Sequence, residues 1–95
     1  MAMSNGTATR QVVIQRPAGL HARPSLAVAE AVRRFRSQVC IRSGADQADA
    51  GSVLQLLSLG AGEGRRLELT ATGPDADRVL DELVRLFANN FDLDE

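Results

Sequence analysis

The sequence predicts an α+β domain of order β-α-β-β-α-β-α, with its helices on one face of an antiparallel sheet and solvent on the other. Three observations carry that expectation. Arg66 to Thr72 alternates cleanly, with Leu67, Leu69 and Ala71 on one side and Arg66, Glu68 and Thr70 on the other, the pattern of a half-buried strand. Ala76, Val79, Leu80, Leu83 and Phe87 recur at helical spacing. Thr9 to Gln15 has the β-branched content of another strand and is stopped by Pro17 and Gly19.

The first strand leads into the loop Pro17-Ala18-Gly19-Leu20. A helix of about four turns follows from near Ala22, where Leu26, Ala29, Val32 and Phe35 at spacing three give an Ala-rich segment one apolar face. Ser37 to Ser43 alternates weakly around Val39 and Ile41, and the turn Gly44-Ala45-Asp46 precedes a short return arm, Gln47 to Ala50. Val53 to Leu59, ended by Gly60, is long enough for two helical turns with Ser52 as N-cap. After the Arg66 to Thr72 strand and Gly73-Pro74, Asp75 is placed to cap a last helix that runs to about Asn89.

A chain of 95 residues, 44% of them hydrophobic, can bury one core without disulfide or metal staples. One domain over residues 9–90 is expected, after a flexible segment at 1–8 and before an acidic tail at 91–95 that Phe91 and Leu93 can pin back. The lone Cys40, between Val39 and Ile41, reads as a small apolar residue and suits a reducing, cytoplasmic setting. No stretch approaches the roughly 18 apolar residues that a membrane span needs, so no membrane insertion is expected. Eleven basic and twelve acidic residues nearly cancel, and three Phe with no Trp or Tyr give little to stack on bases, which disfavours nucleic acid. Every basic residue is an arginine, so position, and not total content, must show where one has a task.

Position singles out His21, the only histidine. It falls at or beside the N-cap of the first helix, where backbone N–H groups lack intrahelical partners and the helix dipole is positive. An anion held on its imidazole would meet the donors of Ala22 and Arg23 and the guanidinium fork of Arg23, which can hold two phosphate oxygens. Pro24 stiffens the first turn at no cost in hydrogen bonds, and Gly19 permits a sharp approach of the loop. With one His, a distant Cys40 and no paired carboxylates beside His21, the ligand count for a metal fails, and no cofactor is expected. A nucleophile elbow for Ser-His-Asp hydrolysis is also missing.

Gly19-Leu20-His21-Ala22-Arg23-Pro24 resembles the active-site signature of the histidine-containing phosphocarrier proteins (HPr) of bacterial phosphotransferase systems. Phe35, Ser52, the Leu-Leu-Ser-Leu-Gly of 56–60 and Ala71-Thr72-Gly73-Pro74 extend the resemblance over most of residues 10–90. It implies an HPr-like open-faced β-sandwich, a four-stranded antiparallel sheet covered on one face by three helices. It also implies a monomer in which His21 takes a phosphoryl group on Nδ1 from Enzyme I and gives it to an EIIA-type protein, with Arg23 steadying the phosphate.

Ser52 falls where many family members carry a serine phosphorylated by an HPr kinase/phosphorylase, while its local sequence equally makes it a plain N-cap. Gly51 stands where sugar-type carriers have a basic residue. Val53, Leu54, Leu56 and Leu57 cannot all point inward, and the family docks partners on this helix and the first one, so Leu26, Leu54 and Leu57 become contact candidates, ringed by Arg33 and Arg34. The segment Leu86 to Asp92 and the Gly73-Pro74 start of the last helix resemble the nitrogen-related carriers (NPr) more than the sugar-transport ones. The alternatives are a sugar-transport HPr and a regulatory docking module of the same fold.

Overall fold

A computed structural model describes residues 6–93. The elements, in chain order, are β1 (Gly6–Val13), α1 (Ala22–Arg33), β2 (Gln38–Ser43), β3 (Asp46–Asp49), α2 (Val53–Leu59), β4 (Arg66–Gly73) and α3 (Ala76–Ala88), followed by a 3-10 turn at Asn90–Asp92. The expected order is present. The strands form one antiparallel sheet in the order β1-β4-β2-β3, and the three helices pack on one side of it.

β4 is the hub, because its alternation is complete: Leu67, Leu69 and Ala71 are buried, and the residues between them face the open side. The core between sheet and helices is closed by Ile14, Ile41, Val28, Leu56, Val79, Leu80 and Leu83. On the open face, Thr7 lies opposite Thr72 and Thr9 opposite Thr70, so the solvated side is built from short polar side chains.

Boundaries differ where the local signal is weak. β1 begins at Gly6, three residues before Thr9, because Gly6, Thr7 and Ala8 pair with Gly73, Thr72 and Ala71; small residues carry little strand signal of their own. It ends at Val13 and not at Gln15. The β2–β3 hairpin turns on Gly44-Ala45 alone, with Ser43 opposite Asp46. Residues 1–5 and 94–95, at the two ends assigned to a flexible segment and an acidic tail, lie outside the described residues. Phe91 of that tail is buried, edge-on to Phe87 with ring centres 4.8 Å apart.

Two side-chain expectations are corrected. Residues spaced by three step back around a helix by about 60° each time, so Leu26, Ala29 and Val32 sweep about a third of its circumference, and Phe35 lies beyond the end of α1 at Arg33. α1 instead buries Ser25, Val28, Ala29 and Val32, and leaves Leu26 exposed. Asp75 stands at the N-cap position of α3 but makes no cap hydrogen bond. Its carboxylate accepts from the Ser37 hydroxyl at 2.6 Å and the Arg36 N–H at 3.0 Å, fastening the α1–β2 connection to the start of α3. The Ser37 hydroxyl and, after it, the Arg36 N–H hold this carboxyl below its ordinary value of 3.8.

Candidate functional site

The loop between β1 and α1 is seated before it reaches His21. Gly19 N–H donates to the Arg16 carbonyl at 3.0 Å, closing a turn, and Leu20 N–H donates to the Ala61 carbonyl at 3.0 Å, tying the loop to the segment ahead of β4. Gly19 has φ +71°, and a Cβ there would run into the Ala61 carbonyl and Gly62. Only glycine fits both the backbone and the space. Leu20 and Pro24 are buried, and the buried Ser25 hydroxyl donates to the Leu20 carbonyl at 3.3 Å, locking loop to helix.

His21 is the N-cap of α1, with φ −96° and ψ −158°. Its carbonyl accepts the Ser25 N–H at 2.9 Å, while its side chain makes no cap hydrogen bond. His21 is partly exposed, and its imidazole is not spent on capping the helix. Pro24 has no N–H, so the donors heading the helix are those of Ala22 and Arg23, aimed along the axis toward the side on which His21 sits. Arg23 is exposed and no acidic residue occupies the first turn, so an anion there meets positive dipole and no carboxylate from its own helix turn.

α2 lies beside α1 and carries the other candidates. Among its residues only Leu56 is buried; Leu54 is 77% and Leu57 39% exposed, and Leu26 on α1 is 47% exposed. Three large apolar side chains on adjacent helices thus face water. Arg33 reaches from α1 to the Gly51 carbonyl at 3.0 Å, at the head of α2. Arg34 does not join the ring expected for it: its guanidinium lies 3.6 Å from Glu82 on α3. Ser52 acts as N-cap, its hydroxyl accepting the Gln55 N–H at 3.2 Å.

Some of what seats the site was not foreseen. The Ala61 carbonyl and the Arg16 bond to Asn90 Oδ1, at 3.1 Å, both come from segments distant in sequence. Gly19 signalled a sharp approach of the loop, but nothing in the residues named the partner. Val13, 42% exposed on β1, is a further apolar side chain facing water.

His21 thus stands at the head of α1, on a domain whose four-stranded sheet is covered by helices on one face. Residues 8–89 match the family described as "PTS HPr component phosphorylation site". The chain belongs to the HPr family of the phosphotransferase system. It is 36% identical over 89 residues to phosphocarrier protein NPr of Escherichia coli (strain K12), covering 93% of this chain and 99% of that one. It is also 36% identical over 75 residues to phosphocarrier protein HPr of Treponema pallidum, covering 79% of this chain and 85% of the relative. The crystal structure of HPr-C-His from Thermoanaerobacter tengcongensis superposes with a TM-score of 0.86 at 27% identity, over 93% of this chain and 99% of that one.

Proposed function

We propose that His21 accepts a phosphoryl group on Nδ1 from Enzyme I and delivers it to a histidine of an EIIA-type protein. The observation that carries this reading is the half-exposed imidazole at the N-cap of α1, its side chain unused by the helix and set beside the Ala22 and Arg23 donors. In the first transfer, the Nδ1 lone pair attacks phosphorus, an N–P bond forms, and the bond to the donor's nitrogen breaks. Negative charge on the three phosphoryl oxygens is met by the Ala22 and Arg23 N–H groups and the Arg23 guanidinium. The second transfer runs the same steps outward, so the site must hold the phosphate without trapping it.

Partners dock on Leu26, Leu54 and Leu57, and the exposure of all three supports this. The carrier acts as a monomer in the cytoplasm, in the nitrogen-related branch. Relatives named NPr support that branch, as do Gly73-Pro74 and the segment ending in Asp92. A relative named HPr at the same identity leaves sugar transport as the second reading. The cap bond at Ser52 supports a structural role there, with phosphorylation by an HPr kinase/phosphorylase set against it.

The test is incubation with phosphoenolpyruvate and either nitrogen-type or sugar-type Enzyme I. An acid-labile, base-stable phosphate that disappears in His21→Ala is expected, with the faster rate from the nitrogen-type enzyme. No label on the wild type from either enzyme sinks the carrier reading. If His21→Ala still controls a bound target, the regulatory docking module takes its place.

A further inference from the structure

We propose that Asn90 is a positioning residue for His21, acting through Arg16 on the loop that presents the imidazole; this rests on the carrier reading above. The chain leaves α3 by an unusual route. Asn90 (φ 53°), Phe91 (φ 57°) and Asp92 (φ 60°) are consecutive and left-handed, and they are the only non-glycine residues with positive φ among those described. L-residues avoid this conformation, asparagine and aspartate least so, and it persists only where the surroundings over-determine it.

Here they do. The Phe91 ring is buried against Phe87, and Arg85 grips the Asp92 carboxylate through two bonds of 3.1 and 2.9 Å. Asp92 N–H donates to the Asn89 carbonyl and Leu93 N–H to the Asn90 carbonyl, each at 3.0 Å. Asn90 Nδ2 reaches the Leu93 carbonyl at 3.2 Å, which fixes the amide with its oxygen toward Arg16 Nη1 at 3.1 Å. Both ends of Arg16 are thus engaged: its guanidinium by Asn90, and its carbonyl by the Gly19 N–H that closes the turn. From that turn, Leu20 is the only residue before His21.

A helix that needed merely to end could do so on one glycine. Three left-handed residues held from two sides bring an amide oxygen to the far end of the loop, and that is a positioning device. Sub-ångström displacement of a reacting nitrogen lowers turnover without weakening partner docking, which uses Leu26, Leu54 and Leu57.

Three variants separate the roles. Asn90→Gly keeps the left-handed backbone and removes the amide; Asn90→Asp keeps an acceptor for the guanidinium; Arg16→Gln removes the other partner and leaves residues 90–92 intact should Asn90→Gly fail to fold. With nitrogen-type Enzyme I and phosphoenolpyruvate, kcat for labelling is expected to fall about tenfold in Asn90→Gly and Arg16→Gln with KM unchanged, to fall no further in the double variant, and to be restored in Asn90→Asp. The His21 ring resonances should move in the first two and return in Asn90→Asp. Wild-type kcat in folded Asn90→Gly or Arg16→Gln, a change in KM alone, or additive losses in the double variant overturns the proposal. If the wild type takes no label, the carrier reading fails separately, and unmoved His21 resonances in Asn90→Gly or Arg16→Gln then overturn the positioning role.

Discussion

Replacing Gly19 by alanine measures how tightly the His21 loop is seated. Its φ of +71° makes any Cβ unfavourable by about 1–2 kcal/mol. In addition, the new methyl meets the Ala61 carbonyl and Gly62, which are backbone and cannot swing aside. The loop must lift, and the Leu20 to Ala61 hydrogen bond is lost, adding about 1 kcal/mol. The sum, about 2–3 kcal/mol, corresponds to a fall in Tm on the order of 10 °C for a domain of this size. Gly64→Ala is the control: its φ of +84° carries the same backbone cost, but no atom lies within 4 Å of the added carbon. Urea unfolding of both variants should show Gly64→Ala less destabilised than Gly19→Ala by about 1 kcal/mol or more, and only Gly19→Ala should slow the labelling of His21. Equal losses in the two variants would refute the steric part of the reasoning, and an unchanged labelling rate in Gly19→Ala would refute the link between loop seating and chemistry.

Three further perturbations probe other links. Leu54→Asp, at a side chain 77% exposed, should leave stability within about 0.5 kcal/mol, whereas Leu56→Ala, fully buried, should cost about 2–5 kcal/mol; Leu54→Asp should instead raise the KM for Enzyme I about tenfold, read from initial labelling rates. Ser52→Ala should cost about 1 kcal/mol by loss of the Gln55 cap bond while His21 is labelled normally, a pair of results read by denaturation and the transfer assay. Asp75→Asn should destabilise the protein at neutral pH. Because the folded carboxyl titrates below its ordinary 3.8, its contribution is present above that value and disappears as pH falls through the depressed one, so the gap between wild type and variant should close in acid; a constant gap in urea midpoints from pH 7 downward contradicts the assignment.

Periodicity made the sheet hub and the last helix readable: β4 and α3 bury the residues that alternation and helical spacing select. His21, Ala22 and Arg23 were readable as a helix head because Pro24 and the Gly-containing loop mark the start locally. What depends on contacts between distant segments was not readable. Asp75 has the residue type of a cap, but the Ser37 hydroxyl and Arg36 N–H, brought up by another connection, claim its carboxylate. Leu26, which shares the spacing of Ala29 and Val32 and is also a contact candidate, is exposed because Val28 and Ser25 lie closer to the centre of the buried face. Arg16, read only as one cation among eleven, donates to the side chain of Asn90, seventy-four residues further on.

The strand order β1-β4-β2-β3 also governs when the protein can exist at all. Only the β2–β3 hairpin joins neighbours in the chain, while β1 must wait for β4, with Gly6 opposite Gly73. Such long closures are slow and leave little native structure in a growing chain. The His21 corner leaves the ribosome before the Ala61 carbonyl, β4 and Asn90 that shape it. A chain that stops short of Asn90 therefore presents the histidine without its setting, so the corner matures only once that residue has emerged.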